Sequence, residues 1–307
     1  MASVVLEQLE RFGPDHCERL SREESLAYAR ELATSHYENF SVVSRLLPRG
    51  LRGDFAAVYA FCRWADDLGD ETGDAERSVE LLRWWREELG ACYRGEPRHP
   101  VFIALRPTIE RFDIPSEPFE DLVSAFEQDQ TVRRYETWSG VLDYCRRSAN
   151  PVGRLVLYMC GHRDERRQCY SDATCTALQL VNFWQDVRRD ILERDRVYVP
   201  SEVLEMHGLD HKRLVGHVEG RWCVDARPVV GELMERTWPM FAEGRKLWPL
   251  LEGRVRGSVK LFTLGGERLM RKIEGMDCRT LDRRPALSRF EKSALMVRAL
   301  AGKLVGR

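Results

Sequence analysis

Residues 179–190 read QLVNFWQDVRRD, within a longer run, TCTALQLVNFWQDVRRDIL, that contains no Gly or Pro. Its apolar residues Leu178, Val181, Phe183, Trp184, Val187 and Ile191 recur mostly at three- and four-residue steps, which predicts a helix. On that helix Gln179, Asn182, Asp186 and Asp190 fall at i, i+3, i+7 and i+11, a stripe one residue wide. All four carry oxygens that suit a hard cation. An acidic stripe inside an apolar segment needs a partner, because a buried carboxylate left alone is costly. That partner is either a set of arginines or Mg2+ carrying a phosphorylated ligand. A solvated helix face is the bland alternative for one such stripe.

A second stripe shifts the balance. Residues 55–71, FAAVYAFCRWADDLGDE, also show helical spacing, and Arg63, Asp66, Asp67 and Asp70 share one face just after Phe55, Val58, Tyr59 and Phe61. Carboxylates this close raise one another's pKa unless a cation neutralises them. Two such helices could face one another across a pocket and hold Mg2+ bridging to a diphosphate.

The remaining sequence bounds the class. The 48 basic and 49 acidic residues nearly cancel, so bulk charge points to no nucleic-acid partner. Nine cysteines without a C-x-x-C pair read as reduced, mostly core thiols of a cytoplasmic protein. MASVVLEQLERFGPDH lacks the form of a signal peptide, and no run approaches the roughly 18 apolar residues of a membrane span. Ser21 and Glu24 form a capping box for a helix that leads into HYENF, where His36, Tyr37, Glu38, Asn39 and Phe40 crowd together. A histidine there is more often structural than a ligand.

Residues 72–80 read as a charged loop. LLRWWREELGACYRGE follows as a helix closed by Gly95, in which Trp84 and Trp85 read as packing residues. Prolines 100, 107, 115 and 118 are expected to divide short helices. Asn150, Pro151 and Gly153 interrupt an apolar helix, giving a bend or a close approach to ligand. The last 25 residues are basic and helical in spacing; they could rest on an anionic membrane surface or cap the bundle with a solvated face, the latter slightly favoured. No repeat and no strand alternation is visible. The reading is all-α and one domain over 1–307.

Taken together, CRWADDLGDE, DYCRRSANPVGR and LQLVNFWQDVRRD…RVYVP resemble the squalene/phytoene synthase family, with the motifs spread from about His36 to Pro200. Within it, HYENF, SANPVG and NFWQDV are most similar to the hydroxysqualene synthase branch of bacterial hopanoid biosynthesis. The resemblance implies an isoprenoid-synthase helical bundle with a central active-site cavity. It also implies Mg2+ as cofactor and presqualene diphosphate, or another prenyl diphosphate, as substrate.

By the same resemblance Asp66, Asp67 and Asp70 match the first metal motif with Arg63 as a diphosphate contact. Asn182, Asp186 and Asp190 match the second, with Gln179 one turn earlier. Tyr144, Ala149, Asn150, Val152 and Gly153 match the stretch lining the catalytic pocket. Tyr198 matches the aromatic after the second motif, and His36, Tyr37, Asn39 and Phe40 fall in the substrate region. Gln185 stands where an Arg commonly precedes the Asp, and Glu38 where a Lys is found. Both changes remove a positive charge, which suits a substrate with one diphosphate. Asp66, Asp70 and Asp186 would then assist departure of that diphosphate, and Asn150 or Tyr144 would orient the quenching water. Phe40, Phe61, Tyr144, Phe183 and Trp184 are candidate walls for a dry pocket around a carbocation. A condensing member of the family is the first alternative. A non-catalytic assembly factor is disfavoured by the two intact acidic motifs, and an unrelated helical scaffold more so.

Overall fold

The computed structural model describes residues 4–35, 49–288, 290, 291 and 293–295. His36, Tyr37, Glu38, Asn39 and Phe40 lie outside the described residues, as does most of the basic tail beyond Leu295. Helices follow one another along the chain: α1 Val4–Phe12, α2 Arg22–Ser35, α3 Arg52–Asp70, α4 Ala75–Arg94, α5 Pro100–Phe112, α6 Glu117–Gln128, α7 Trp138–Ser148, α8 Asn150–Met159, α9 Glu165–Arg194, α10 Ser201–Met206, α11 His211–Val218, α12 Arg227–Gly244 and α13 Gly253–Gly275. The described residues form no strand, only the isolated bridges Phe12–Cys17 and Arg134–Val197. The all-α expectation therefore holds.

Local chemistry sets the helix ends. Ser21 Oγ accepts from Glu24 N–H (3.3 Å) while Glu24 Oε2 accepts from Ser21 N–H (2.8 Å), the reciprocal pair that the capping box predicts. Asp74 caps α4 by accepting from the amides of Glu76 and Arg77, so the charged loop expected over 72–80 ends at Asp74 and the helix starts earlier. Gly95 closes α4 in the left-handed region (φ 92°), where a side chain would be strained. One proline expectation needs correction: Pro107 sits inside α5, whereas Pro118 lies in the first turn of α6, where no N–H is needed.

Contacts divide the chain into two compact units. The first comprises Met1–Thr131 with Pro151–Asp164. Here α3 packs against α1, α2, α4, α5 and α6. Its core holds Phe12, Phe61, Trp64, Trp85, Phe102 and Phe119, all fully buried. Trp64 and Trp85 stack with centroids 5.3 Å apart and planes at 7°. Phe61, expected as a candidate pocket wall, lies instead in this core against Trp85, Phe102 and Phe119.

The second unit comprises Val132–Asn150 with Glu165–Arg307. It is organised around the 30-residue α9, which packs against α7, α11, α12 and α13. Close approach is bought with glycine: a Cβ on Gly266 of α13 would meet Leu178 Cδ2 at 2.6 Å and Phe241 Cζ at 2.7 Å. Trp184 is fully buried and donates through Nε1 to Thr237 Oγ1 (3.0 Å). It too is a core residue and not a pocket wall.

Candidate active site: two acid-bearing helices

In the first unit, α3 carries Arg63, Asp66, Asp67 and Asp70 on one face, as the spacing predicts. The four do not share one environment. Asp67 is buried and receives Arg63 Nη2 at 2.6 Å, whereas Arg63 Nη1 lies 3.7 Å from the half-exposed Asp66. A buried carboxylate that loses its counter-ion destabilises a protein by about 3–5 kcal/mol. Arg63 therefore holds the helix together at Asp67, whatever else it contacts. Of the metal-ligand candidates in this stripe, Asp66 and Asp70 lie one turn apart and are both partly exposed. Val152, on α8, is 44% exposed, and Gly153 beside it is half-buried.

In the second unit, α9 presents Gln179, Asp186 and Asp190 half-buried and Asn182 exposed. Burial, reinforced by the charge of Asp186, pushes the Asp190 carboxyl up to about 7, even though Arg194, Arg189 and Arg196 pull it down. Asp186 is gripped by Arg284, whose guanidinium reaches both carboxylate oxygens, Nη2 to Oδ2 at 3.0 Å and Nε to Oδ1 closer still. Gln185 is buried and donates from Nε2 to the Pro285 carbonyl at 2.6 Å.

Phe183, on the same helix, belongs to an aromatic cluster. Tyr144 of α7 lies 6.0 Å from Phe183 and 5.6 Å from Tyr198, centroid to centroid, and Tyr135 completes the group at 5.8 Å from Tyr144 and 5.7 Å from Tyr198. The structure thus brings together Tyr144, Phe183 and Tyr198, three expected site residues. Asn150 opens α8 immediately after Ala149, which closes α7. The expected interruption is this junction, while Gly153 lies within helix. The Asn150 amide is buried and its Oδ1 accepts from Thr176 Oγ1 at 2.8 Å.

Three participants escape sequence reading. Tyr135 and Thr176 have no motif of their own, and Arg284 lies 98 residues from Asp186. The basic run DRRPALSR is the one visible hint of the last.

Among the described residues, no three His, Cys, Asp or Glu side chains converge as metal ligands. The donors nevertheless fit a divalent hard cation. Asp186, Asp190 and the Asn182 side-chain carbonyl offer oxygen ligands along one helical face.

This helical build with two acid-bearing helices is that of the isoprenoid synthase class, and comparison with known proteins narrows it. Residues 33–291 match the squalene/phytoene synthase family, and the chain belongs to it, a family of prenyl diphosphate-processing enzymes. It is 31% identical over 289 residues to the hydroxysqualene synthase of Rhodopseudomonas palustris, covering 92% of this chain and 94% of that one. It is 37% identical over 175 residues to the hydroxysqualene synthase of Zymomonas mobilis, a match spanning 56% of this chain and 57% of that protein. The solved squalene synthase HpnC of Alicyclobacillus acidocaldarius is 42% identical, with a TM-score of 0.77 over 83% of this chain and 95% of its own. Phytoene synthases stand among the relatives at comparable identity, that of Thermus thermophilus at 31%.

Proposed function

We propose that this protein is a hydroxysqualene synthase, converting presqualene diphosphate and water to hydroxysqualene and diphosphate, and that it acts as a single catalytic domain in the cytoplasm. The observation that carries this reading is the side chain at 185. Where condensing members of the family carry an arginine, Gln185 is uncharged, buried and engaged with the Pro285 carbonyl. No cation is offered there to a second diphosphate, as a substrate with one diphosphate allows.

Mg2+ would supply Lewis-acid stabilisation of the leaving diphosphate; in the second unit Asp186, Asp190 and Asn182 would hold it, and in the first unit Asp66 and Asp70 are the candidate ligands. The chain does the rest. The C–O bond breaks with its electron pair leaving on diphosphate. Phe183, Tyr198 and Tyr144 give the resulting carbocation an apolar, π-rich surface that keeps stray water away. The cation rearranges, and one water then adds through oxygen, its proton passing to the released diphosphate. We assign the holding of that water to Asn150, whose Oδ1 accepts from Thr176, or to the Tyr144 hydroxyl. Among the described residues no helix is long and apolar enough to cross a membrane. We assign the basic C-terminal tail a peripheral role at most, at the inner membrane face.

The test is incubation of the purified protein with Mg2+ and, separately, presqualene diphosphate or farnesyl diphosphate, without reductant, followed by mass analysis of the lipid extract. Hydroxysqualene from presqualene diphosphate, and nothing from farnesyl diphosphate, is expected. Presqualene diphosphate formed from farnesyl diphosphate would move the protein to the condensing branch. An Asn150→Ala variant that still gives only hydroxysqualene at the normal rate would remove Asn150 from the water-holding role.

A further inference from the structure

The segment that follows α13 doubles back onto α9. Asp277 and Cys278 adopt successive left-handed conformations (φ 57° and 55°), which turn the chain sharply after the helix end. Thr280, Leu281 and Pro285 are then buried, and the segment meets α9 at Gln185, Asp186 and Arg188. Among the described residues, four contacts tie this strap to α9 and α13. Arg188 Nη1 donates to the Leu281 carbonyl (3.4 Å), Gln185 Nε2 to the Pro285 carbonyl (2.6 Å) and Lys272 Nζ to the Ala286 carbonyl (2.6 Å). The fourth is the two-pronged grip of Arg284 on Asp186. Beyond the strap, Ser288 and Glu291 cap each other, and Glu291 pairs with Arg268 and Lys272.

We propose that residues 280–288 form a latch over the second acidic motif, in which Arg284 is the resident counter-ion of Asp186 and must leave it before a metal can bind there. This inference rests on the reading of Asp186 as a metal ligand. Its logic is charge and geometry. A guanidinium fork facing both oxygens of a carboxylate covers the two inward-facing in-plane lone pairs, those a chelated cation would use. A divalent ion arriving at either oxygen would also stand within a few ångströms of a positive guanidinium. The two therefore exclude each other at Asp186.

Gln185 makes the latch workable in this chain. Being neutral, it tolerates burial and holds Pro285 by hydrogen bond. An arginine at the same position would bring a second cation next to Arg284. Because the Gln185–Pro285 contact does not involve Asp186, the strap stays anchored when Arg284 lets go. The freed guanidinium then remains beside the motif, where it suits the oxygens of a metal-borne diphosphate. Arg284 is thus a positioning residue with two successive partners, a carboxylate before metal binding and an anionic ligand after it.

The experiment is a titration of the full chain with Mn2+, without substrate, followed by electron paramagnetic resonance of the free ion, in the parent protein, Arg284→Ala and Arg284→Lys. A partly exposed ion pair shifts an equilibrium by about fivefold. Arg284→Ala is therefore expected to bind Mn2+ about fivefold more tightly than the parent. Arg284→Lys, which keeps the charge and loses the fork, should fall between them. Circular dichroism of each variant checks that the helical content is unchanged. Equal or weaker binding in Arg284→Ala overturns the latch while leaving the metal reading intact. Absence of Mn2+ binding from all three proteins overturns both.

Discussion

The ring of Phe183 lies flat on the ring of Tyr198, with centroids 3.7 Å apart and planes 8° from parallel. Phe183 sits on α9 between Asn182 and Asp186 of the second stripe, and Tyr198 on the segment that leaves that helix. Their stack ties the loop to the stripe. Truncating a buried phenylalanine costs about 3–5 kcal/mol, and Phe183→Ala should lower unfolding stability by about 3 kcal/mol in a urea titration. If the proposed reaction holds, the same variant should also yield early-quenched alcohols besides hydroxysqualene, visible by mass analysis.

Asp190 predicts an unusual pH profile. In the metal-free protein burial, and then the Asp186 charge, hold its carboxyl up to about 7, whereas in the unfolded chain it titrates near its ordinary value of about 4. A folded-state pKa raised in this way stabilises the native protein fully below about pH 4, and the contribution is lost as pH rises through about 7. Urea midpoints in the presence of chelator should therefore contain a component that falls between pH 5 and 8, and Asp190→Asn should lack it. Superimposable profiles for the two proteins would contradict the assignment. Added Mg2+ should restore most stability on the alkaline side, where no proton has to be expelled.

His99 predicts the opposite slope. Its Nδ1 caps α5 by accepting from Val101 N–H at 3.2 Å, while its ring lies edge-on to Trp64 (4.4 Å) and Trp85 (4.8 Å). Complete burial holds the imidazole well below its ordinary value of 6.5. The neutral ring therefore stabilises the fold above about pH 6.5, and that contribution is lost as pH falls further. His99→Asn keeps a capping oxygen and removes the titration. The stability gap between parent and variant should narrow from pH 7 to pH 5; a constant gap would show that His99 does not protonate on unfolding.

Glu267 is 1% exposed, and Arg245 reaches both its oxygens, Nε to Oε1 at 2.5 Å, while Arg271 stands 3.5 Å from Oε2. Arg245→Met leaves that charge undercompensated and should cost about 3 kcal/mol. Arg245→Met combined with Glu267→Met should recover most of the loss, because no buried charge remains. A double variant as unstable as the single one would mean that packing, not charge, sets the cost.

Much of this was legible in the sequence where one helix carries the information. The stripe at Gln179, Asn182, Asp186 and Asp190, the cap at Ser21 and Glu24 and the stop at Gly95 depend on neighbours within one or two turns. Pro107 misleads because local rules count only the lost amide. It has no N–H for the Ile103 carbonyl, yet Leu105, Thr108 and Ile109 beside it are buried and hold α5 together. Phe61 and Phe183 share the same helical signature, and only tertiary packing makes one a core residue and the other part of the aromatic cluster. Arg284 and Gln185 lay beyond sequence reasoning for a related reason. Their partners are set by a chain reversal about 100 residues away, and nothing in local spacing marks which arginine of DRRPALSR meets Asp186.

The stacked tryptophans of the first unit have a spectroscopic consequence. Trp64 and Trp85 are parallel within 7° at 5.3 Å, and in the second unit Trp138 and Trp184 lie 6.1 Å apart at 19°. Indoles that close couple their electronic transitions, so each unit carries its own chromophore pair, assembled from different helices and lost when those helices part. Ultraviolet circular dichroism of Trp85→Phe and Trp138→Phe would separate the two signatures. The protein thereby contains, without any label, two independent optical reporters of whether its halves melt together or in turn.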